Sequence, residues 1–578
     1  MLKNVHARPF IWLAICALGV AACGKSTEEP ESASPLTDNS GLLRYVPADT
    51  PYVFGTVAPP PDEFMDAMEP KLDRLLAAYS EVLRVAVSEA QAAEAGDSEE
   101  AEQIVGVVDE LRALLSLEAL REAGVTRDST VMLYGNGLLP VLRVTLSDAT
   151  LFDDALSRIE AKAGEQLPVA EVDGNPYRYI EDEGVRVVIA TIGDQFVLTV
   201  APESLDDAAL ARLLGLTLPA QSIAESGQLR DIANEYGYLH EYVGLIDTVR
   251  LADTFIDEPE GLDALLLDVM DYDAGTLDDV CKAELRSLAE IAPRVVAGYE
   301  EVSPEMIRST TVVELRDDIA DEFAGFVATV PGLGRIYDGL FSLGMSLNAE
   351  AIRAFFDTHV AALREDPWEC EHLADFQDGL FAASEQALAQ PVPPVLYDFH
   401  GFLAVVEDVQ GFDLGRKQPP ESIDASFLLA IDNAQGLLAM GQAMIPQLAE
   451  LTIEPDGKAH RFELPEAGSG VESAWVALTD SAIAVSVSEN GESVLPTLLQ
   501  AEGVTPPPFM SMGLDGARYY TLLGEAMREG DDEEMSEEMR EAVSDVITVA
   551  ADFYERLQVD VTFTKRGIEI DTDMTLAD

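Results

Sequence analysis

Basic residues are scarce in this chain. Its 578 residues include 36 Lys plus Arg against 106 Asp plus Glu, which gives a formal net charge of −70. Nucleic-acid binding depends on clustered basic residues that neutralise phosphates, and attachment to anionic lipid through a polybasic segment has the same requirement. The composition therefore excludes nucleic acid as a partner and argues against an electrostatic contact with membranes.

The N-terminal apolar run is too short to be a permanent membrane span. It extends from Ile11 to Val20, whereas a helix needs about 20 apolar residues to cross a bilayer. Two basic residues precede the run and small residues follow it, which is the pattern of a secretory signal. We predict that residues 1–22 are a signal peptide.

The end of this segment resembles a known motif. Val20, Ala21, Ala22 and Cys23 match the lipobox of bacterial lipoproteins. The resemblance implies cleavage before Cys23, a diacylglyceryl group on its thiol and acylation of the new N-terminus, so that the membrane is a partner through the N-terminal lipid. Gly24 rather than Asp follows the cysteine, and in this family that favours the outer membrane over the inner one.

A polar stretch follows the lipobox. Residues 24–40 are rich in Ser, Thr, Glu and Pro and contain almost no apolar side chains, which is typical of a flexible segment. We therefore predict an acidic tether over residues 23–40 and a folded body that begins near Gly41.

Cysteine is also rare, with four in the chain. Cys16 leaves with the signal and Cys23 carries the lipid, so Cys281 and Cys370 remain in the mature protein. Export places this pair in an oxidising compartment, which favours a disulfide. His372 close to Cys370 leaves a metal site open as an alternative, although two further ligands would be needed.

The usual catalytic motifs are missing. His240 to Gly244 begins like a HExxH zinc motif but lacks the second histidine, and the segment alternates like a strand. No Walker motif, dinucleotide loop or G-x-S-x-G elbow occurs, and the carboxylates at Asp268, Asp271, Asp273, Asp278 and Asp279 break the EF-hand pattern. We expect no metal, no cofactor and no enzymatic activity, although a triad of dispersed residues stays open.

The body repeats itself. With 48% hydrophobic residues the chain has enough apolar material for large cores, and its length exceeds what one core usually serves. The segment from Arg143 to Asp148 leads from a strand into a helix, and the segment from Leu428 to Asn433 does the same. Gly193 to Val200 and Thr479 to Val487 are both turns that enter strands. The two pairs keep nearly the same spacing, which indicates a duplication.

The similarity extends in both directions from these pairs. A strand followed by long apolar helical stripes occurs near residues 50–79 and again near 340–360, and hairpin patterns occur at 294–315 and 557–576. Pro70 lies inside the first helical stripe and should kink it or start a new helix.

These patterns predict an α+β fold with two tandem homologous units. The first is expected at 41–315, a junction at 316–329 and the second at 330–578. Each unit should hold an antiparallel sheet with helices on one face and a helical hairpin insertion. In this arrangement a Cys281–Cys370 bridge would connect the two units.

The body is similar to exported bacterial proteins that are classed only as a domain of unknown function. The similarity rests on the segment from Val46 to Phe54 and on the strand–helix unit, and it implies no activity. We expect a non-enzymatic, lipid-anchored envelope protein that binds or scaffolds another envelope protein. A periplasmic hydrolase and a carrier of hydrophobic ligands stay open as alternatives, and the sequence leaves the oligomeric state unassigned.

Overall fold

A computed structural model describes most of the folded body. The described residues are 34–93, 106–110, 112–164, 166–182, 184–272, 275, 277–389, 397–411, 422–444, 446–464, 473–529 and 535–577. These described residues are 42% helix and 29% strand, which confirms the predicted α+β class. Among them, no helix combines the length and the apolar composition that a bilayer span requires.

The first half of the chain contains ten strands and nine α-helices among the described residues. The strands are β1 (Tyr52–Thr56), β2 (Val131–Asn136), β3 (Leu139–Thr145), β4 (Val169–Val172), β5 (Asn175–Asp182), β6 (Val185–Ile192), β7 (Gln195–Pro202), β8 (Tyr242–Asp247), β9 (Arg294–Val302) and β10 (Met306–Glu314). The helices are α1 (Asp62–Ala93), α2 (Leu117–Glu122), α3 (Ala149–Ala163), α4 (Asp207–Leu213), α5 (Ile223–Ser226), α6 (Gln228–Tyr236), α7 (Thr248–Ile256), α8 (Gly261–Val269) and α9 (Asp279–Ala289). Two short 3₁₀ helices, η1 (Pro35–Thr37) and η2 (Leu42–Tyr45), precede them.

The second half contains nine strands and eight α-helices among the described residues. The strands are β11 (Phe341–Ser346), β12 (Phe399–Gln410), β13 (Ser422–Ile431), β14 (His460–Glu463), β15 (Ser473–Leu478), β16 (Ala482–Ser486), β17 (Met510–Asp515), β18 (Tyr554–Thr564) and β19 (Gly567–Leu576). The helices are α10 (Asp317–Ala324), α11 (Ala349–Glu365), α12 (Glu371–Ala389), α13 (Ala434–Met444), α14 (Pro446–Ala449), α15 (Gly491–Leu499), α16 (Gly516–Glu529) and α17 (Glu537–Ala550).

Two compact units are present, but neither is one continuous stretch of chain. The first unit comprises the chain through Asp278, together with Pro293–Ser309 and Met535–Val549. The second comprises Asp279–Ala292, Thr310–Glu534 and Ala550–Asp578. Helix α9 therefore belongs to the second unit and α17 to the first, so a simple division at a 316–329 junction does not describe the fold.

The sheet of the first unit is antiparallel, and the first strand lies inside it between β2 and β8. From one edge the order is β4, β5, β6, β7, β3, β2, β1, β8 and β9, and β10, which begins in this unit, pairs with β9. Its core includes Phe152 and Ile159 of α3, which pack on Phe196 of β7. The predicted passage from strand to helix at Arg143 to Asp148 is confirmed, because Asp148 caps α3 through its side chain.

The sheet of the second unit has a matching order. It runs β14, β15, β16, β13, β12, β11, β17, β18 and β19, and β19 also pairs with β10. Counted from the hairpin at the end of each half, each strand has a counterpart in the other sheet, and β4 alone has none. The hairpins expected at 294–315 and 557–576 are β9–β10 and β18–β19, which confirms both.

Helical hairpins occupy the same place in both halves, after the first strand of each sheet. In the second half α11 and α12 pack against each other. In the first half α1 returns through helical residues 106–110 and 112–113, and the Arg112 side chain donates to the Ser80 carbonyl at 2.9 Å. The predicted hairpin insertions are therefore present.

At β15 in the second unit helices cover both sheet faces, so the expectation of helices on one face is wrong there. In β15 the neighbours Val476 and Ala477 point in opposite directions. Val476 lies in a core with Leu438 of α13, whereas Ala477 lies in another core with Leu495 of α15. Because apolar side chains stand on both sides of these strands, each side requires its own helix.

Helix α1 continues through Pro70, so the prediction that a new helix starts there is wrong. Met65 and Met68 are buried before the proline, and Val85 is buried after it. A proline inside a helix costs about 3 kcal/mol, and burial of these side chains offsets that cost because each contributes about 2 kcal/mol.

The packed chain begins before Gly41. Leu36, which lies in the segment predicted to be a tether, is 0% exposed, and the Ser34 side chain caps η1. The folded body therefore includes Ser34 and the residues after it. Burial of one apolar side chain is enough to hold this otherwise polar stretch against the body.

Candidate functional site

The central strands of the second unit form an unusual surface. Directly opposed residues in antiparallel strands share a sheet face, and alternate residues point to opposite faces. Leu343 of β11 faces Ala404 and Met512, and Met512 faces Val559 of β18. These side chains therefore stand on one side of the sheet.

We call this surface the apolar face. Its members are half-buried except for Leu514, which is 8% exposed, and Phe427, which is 45% exposed, and Thr572 is the only polar side chain among them. They are Phe427, Leu429, Phe402, Ala404, Val406, Phe341, Leu343, Met345, Met510, Met512, Leu514, Leu557, Val559, Val561, Ile570, Thr572 and Met574. The apolar face is six strands wide.

On the opposite face, β11, β17 and β18 carry small and polar side chains, whereas β12 and β13 carry Leu403, Val405 and Leu428 of a hydrophobic core, and all of these are buried. Ser342, Ser346, Ser511 and Gln558 are all at most 7% exposed. The Ser346 hydroxyl donates to the Pro508 carbonyl at 2.8 Å, and the Gln558 amide donates to the Ser511 hydroxyl at 2.9 Å.

On β11, β17 and β18 the more deeply buried face is therefore the polar one, the reverse of a half-exposed sheet in which polar residues face water. Phe427 alone of this set is exposed, and a partly accessible apolar surface of this extent is a candidate interaction site.

One end of the apolar face is closed by an aromatic cluster. Phe563 of β18 contacts Phe323 of α10, with ring centroids 5.4 Å apart, and Phe323 contacts Phe355 of α11 at 5.6 Å. Phe326 joins the cluster. Helices α10 and α11 therefore cover this end of the strands.

A half-buried acid, Glu407, lies in the same unit. The Ser426 hydroxyl donates to Glu407 Oε1 at 3.1 Å and lies 3.1 Å from the Ser486 hydroxyl. Burial raises the pKa of Glu407, while the Ser426 hydrogen bond opposes that shift. Ser426 is 2% exposed, and no histidine bonds to it among the described residues. The group cannot act as an accessible nucleophile.

The first unit holds a polar cluster around Arg143, which is 0% exposed. Its guanidinium donates to the Tyr134 hydroxyl at 3.0 Å, to Gln195 Oε1 at 3.0 Å and to the Leu213 carbonyl at 3.2 Å, and it stacks on Tyr45 at 4.1 Å. All of these partners are neutral. Burial raises the pKa of Tyr134 against the effect of Arg143.

The corresponding positions of the second unit are apolar. Leu146 N donates to the Asp194 carbonyl, and Ile431 N donates to the Ser481 carbonyl, so the two registers can be aligned. In this alignment Leu428, Val405 and Ala482 take the places of Arg143, Tyr134 and Gln195, and all three belong to one hydrophobic core. The fold itself does not require the polar cluster.

The Arg143 cluster has no room for a ligand. A Cβ atom on Gly215 would lie 2.4 Å from Arg143 Nη2 and 2.6 Å from Tyr45 Cδ1. The cluster therefore packs η2 against the sheet.

Cys281 and Cys370 are bonded, which confirms the predicted disulfide. Their Sγ atoms are 1.80 Å apart and their Cα atoms 4.4 Å apart. Both belong to the second unit, so the expectation that the bridge connects two units is wrong. Both cysteines fall in one unit because α9, although early in the chain, is part of the second unit. Glu284 of α9 also accepts hydrogen bonds from the backbone N–H groups of Glu369 and Cys370.

The remaining predicted positions contribute little to a site. Val20, Ala21, Ala22 and Cys23 lie outside the described residues, as does Asp273. Among the described residues no group of three or more His, Cys, Asp or Glu side chains is arranged to hold a metal ion.

One histidine lies beside a serine. His240 Nδ1 is 2.8 Å from the Ser34 hydroxyl, but the same hydroxyl accepts from Leu36 N as the cap of η1. No carboxylate bonds to His240 in the described part of the chain. The pair therefore lacks the third group that orients the base in a catalytic triad.

Sequence reasoning missed the apolar face. The alternation of Phe341, Leu343 and Met345 with Ser342 and Gly344 identifies two faces, but periodicity does not say which of them is covered. A concentration of methionines on β11 and β17 was the available signal.

The chain was compared with known proteins. No protein family, no curated protein and no solved structure matches it. The functional interpretation therefore rests on the arrangement of its own residues.

Proposed function

We propose that this protein is a non-enzymatic, lipid-anchored protein of the cell envelope that binds another envelope component through the apolar face. The supporting observation is the partly accessible apolar face of the second unit. Its apolar side chains are half-exposed while Ser342, Ser511 and Gln558 on the other face are buried. Leaving apolar surface in water costs about 25 cal/mol per Å², so a ligand or partner that covers it gains that free energy.

The proposed address rests on the lipobox. Residues 1–22 would be removed as a signal, and Cys23 would carry acyl chains that hold the protein at the outer membrane. Several chains on one residue give stable anchoring, whereas one chain binds reversibly. A Cys23→Ala variant should appear in the soluble fraction, and a variant that stays with the membrane after signal cleavage would contradict the lipid anchor.

The proposed architecture is a duplicated unit. The matching strand orders, the aligned registers at Leu146 and Ile431, and the helical hairpin after each first strand support it. In this proposal one copy has kept an Arg143 cluster while the other has an apolar core at the same positions. The apolar face of the second copy then carries the binding function.

Site-specific photo-crosslinking in cells tests the binding function. A photoreactive amino acid replaces Met512 on the apolar face, and in a control it replaces Met440, a methionine of α13 that is 58% exposed. We expect adducts with an envelope component, lipid or protein, at Met512 and not at Met440. Equal labelling at both positions, or labelling at neither, would contradict the proposed function.

A periplasmic hydrolase is the alternative, and the Ser34–His240 pair is the observation that favours it. A serine-directed fluorophosphonate probe would label the protein, and the label would disappear in Ser34→Ala. Absence of labelling would remove this alternative.

A further inference from the structure

We propose that the occupant of the apolar face is an acyl chain that lies along the strands. This inference rests on the proposed binding function and names the chemical class of its ligand. Its premises are the polarity, the dimensions and the composition of the apolar face.

The chemistry of the face favours a hydrocarbon over a peptide. Across six strands it offers one hydroxyl, from Thr572, and no charged side chain. A peptide laid on it would leave its backbone N–H and C=O groups without partners, and burial of unpaired polar groups is unfavourable. An acyl chain has no such groups.

The dimensions also fit. From Met510 to Leu514 the face extends over five residues of β17, which is ~14 Å at ~3.4 Å per residue. One leaflet of a bilayer is half of a hydrocarbon core of ~30 Å, so a membrane acyl chain spans ~15 Å. The aromatic cluster around Phe563 closes one end and would stop the terminal methyl group.

Methionine is concentrated where the chain would lie. Met345 faces Met510 across β11 and β17, and Met512 is two residues further along β17. Methionine side chains are flexible and polarisable, and they adapt to apolar ligands of varying shape. This composition suits hydrocarbon chains that differ in length and unsaturation.

Fluorescence titration with cis-parinaric acid, an intrinsically fluorescent fatty acid, tests the inference. The protein is the full chain with Cys23→Ala, purified without detergent, so that no covalently attached acyl chain competes for the face. We expect saturable binding. Met512→Glu should weaken it by at least about tenfold, because the carboxylate would have to be buried against hydrocarbon.

Matched variants separate binding from folding. Met440→Glu makes the same chemical change at an exposed position of α13 and should leave the affinity within about twofold of the original. Met512→Gln introduces no charge and should weaken binding by an intermediate factor, and urea unfolding of each variant verifies that it is folded. Absence of saturable binding by the parent protein, or equal affinity of the parent and a folded Met512→Glu, would overturn the acyl-chain assignment.

The crosslinking experiment separates the two proposals. Protein adducts at Met512 without lipid adducts would leave the binding function standing and overturn the acyl-chain inference. Lipid adducts at Met512 that persist in Cys23→Ala would support both, because they exclude the protein's own anchor as their source.

Discussion

Gly215 illustrates how a single residue fixes local structure in this protein. Its φ of +73° is unfavourable for other residues, and a Cβ atom there would meet both Arg143 and Tyr45. Gly215→Ala should therefore lower the free energy of unfolding by about 3 kcal/mol, through backbone strain and overpacking together. Urea denaturation followed by circular dichroism measures the change.

Gly174 provides the matched control. Its φ is +80°, and nothing lies within 4 Å of its Cβ position. Gly174→Ala should cost about 1 kcal/mol, the backbone contribution alone. Equal losses in the two variants would show that the Arg143 cluster is not closely packed.

Two adjacent acids should respond to pH in opposite directions. Burial raises the pKa of Glu407, whereas hydrogen bonds from Gln410 and Arg518 lower the pKa of Asp408. Ionised Glu407 therefore lowers the stability of the fold above its raised pKa. This destabilisation is lost as pH falls through the raised pKa to the ordinary value of ~4.3. Asp408 stabilises the fold above its ordinary value near ~3.9, and that contribution is lost as pH falls through its lowered pKa.

Glu407→Gln should consequently be more stable than the parent at neutral pH and equal to it in acid. Asp408→Asn should be less stable at neutral pH by about 0.5 kcal/mol, since it loses an exposed ion pair with Arg518, and the difference should vanish in acid. Urea midpoints measured from about pH 3 to about pH 8 cover both titrations. Shifts of the same sign at neutral pH would contradict the assigned environments.

At the scale of elements, the disulfide joins α9 to the start of α12. It closes a loop with a sequence separation of 89 residues, so in the chain-entropy model its removal should lower the free energy of unfolding by about 4 kcal/mol. The double variant Cys281→Ala, Cys370→Ala measures this loss. Reductant should destabilise the parent by a similar amount and leave the double variant unchanged. If reductant lowered the stability of the double variant further, another bridge would be indicated.

Local patterns predicted most of the elements. Period-two alternation identified β9 and β10 as a hairpin, and helical spacing of Phe152, Leu156 and Ile159 identified α3, because these periods follow from backbone geometry. The break at Pro70 was wrong because burial on both sides of it outweighs the lost hydrogen bond. Local sequence patterns do not show which side chains are buried by distant parts of the chain.

The site was harder to predict than the fold. Ser342, Gly344 and Ser346 alternate with apolar neighbours on β11, and local rules assign the apolar side to the core. The structure buries this side instead, because Leu333 lies against Gly344 and the Pro508 carbonyl accepts a hydrogen bond from Ser346, and both come from distant segments. Which face is covered is a long-range property, so the apolar face could not be found from periodicity.

At the scale of the whole molecule, the composition of the two units has a consequence for folding. The first unit includes Met535–Val549 from the second half of the chain, and the second unit includes Asp279–Ala292 from the first half. Each half therefore lacks one helix of the unit that it mostly forms. Ala542 and Ser544 of α17 are at most 3% exposed, and Cys281 of α9 is 4% exposed, so the missing helices contribute buried side chains.

The two halves should accordingly fold together and not separately. Fragments 34–315 and 316–578 expressed alone should be insoluble or lack a cooperative unfolding transition, because each leaves a buried surface open. Expressed together they should be recovered as one soluble species, and Cys281 in the first fragment should bond to Cys370 in the second, which gives a linked band on a non-reducing gel. Cys281→Ser in the first fragment should abolish that band while the fragments still purify together, which separates assembly from the covalent bond. A cooperative transition in either fragment alone would show that the helix from the other half is dispensable. A division of the chain at residue 315 would then describe the folding units better than the division in which α9 belongs to the second unit and α17 to the first.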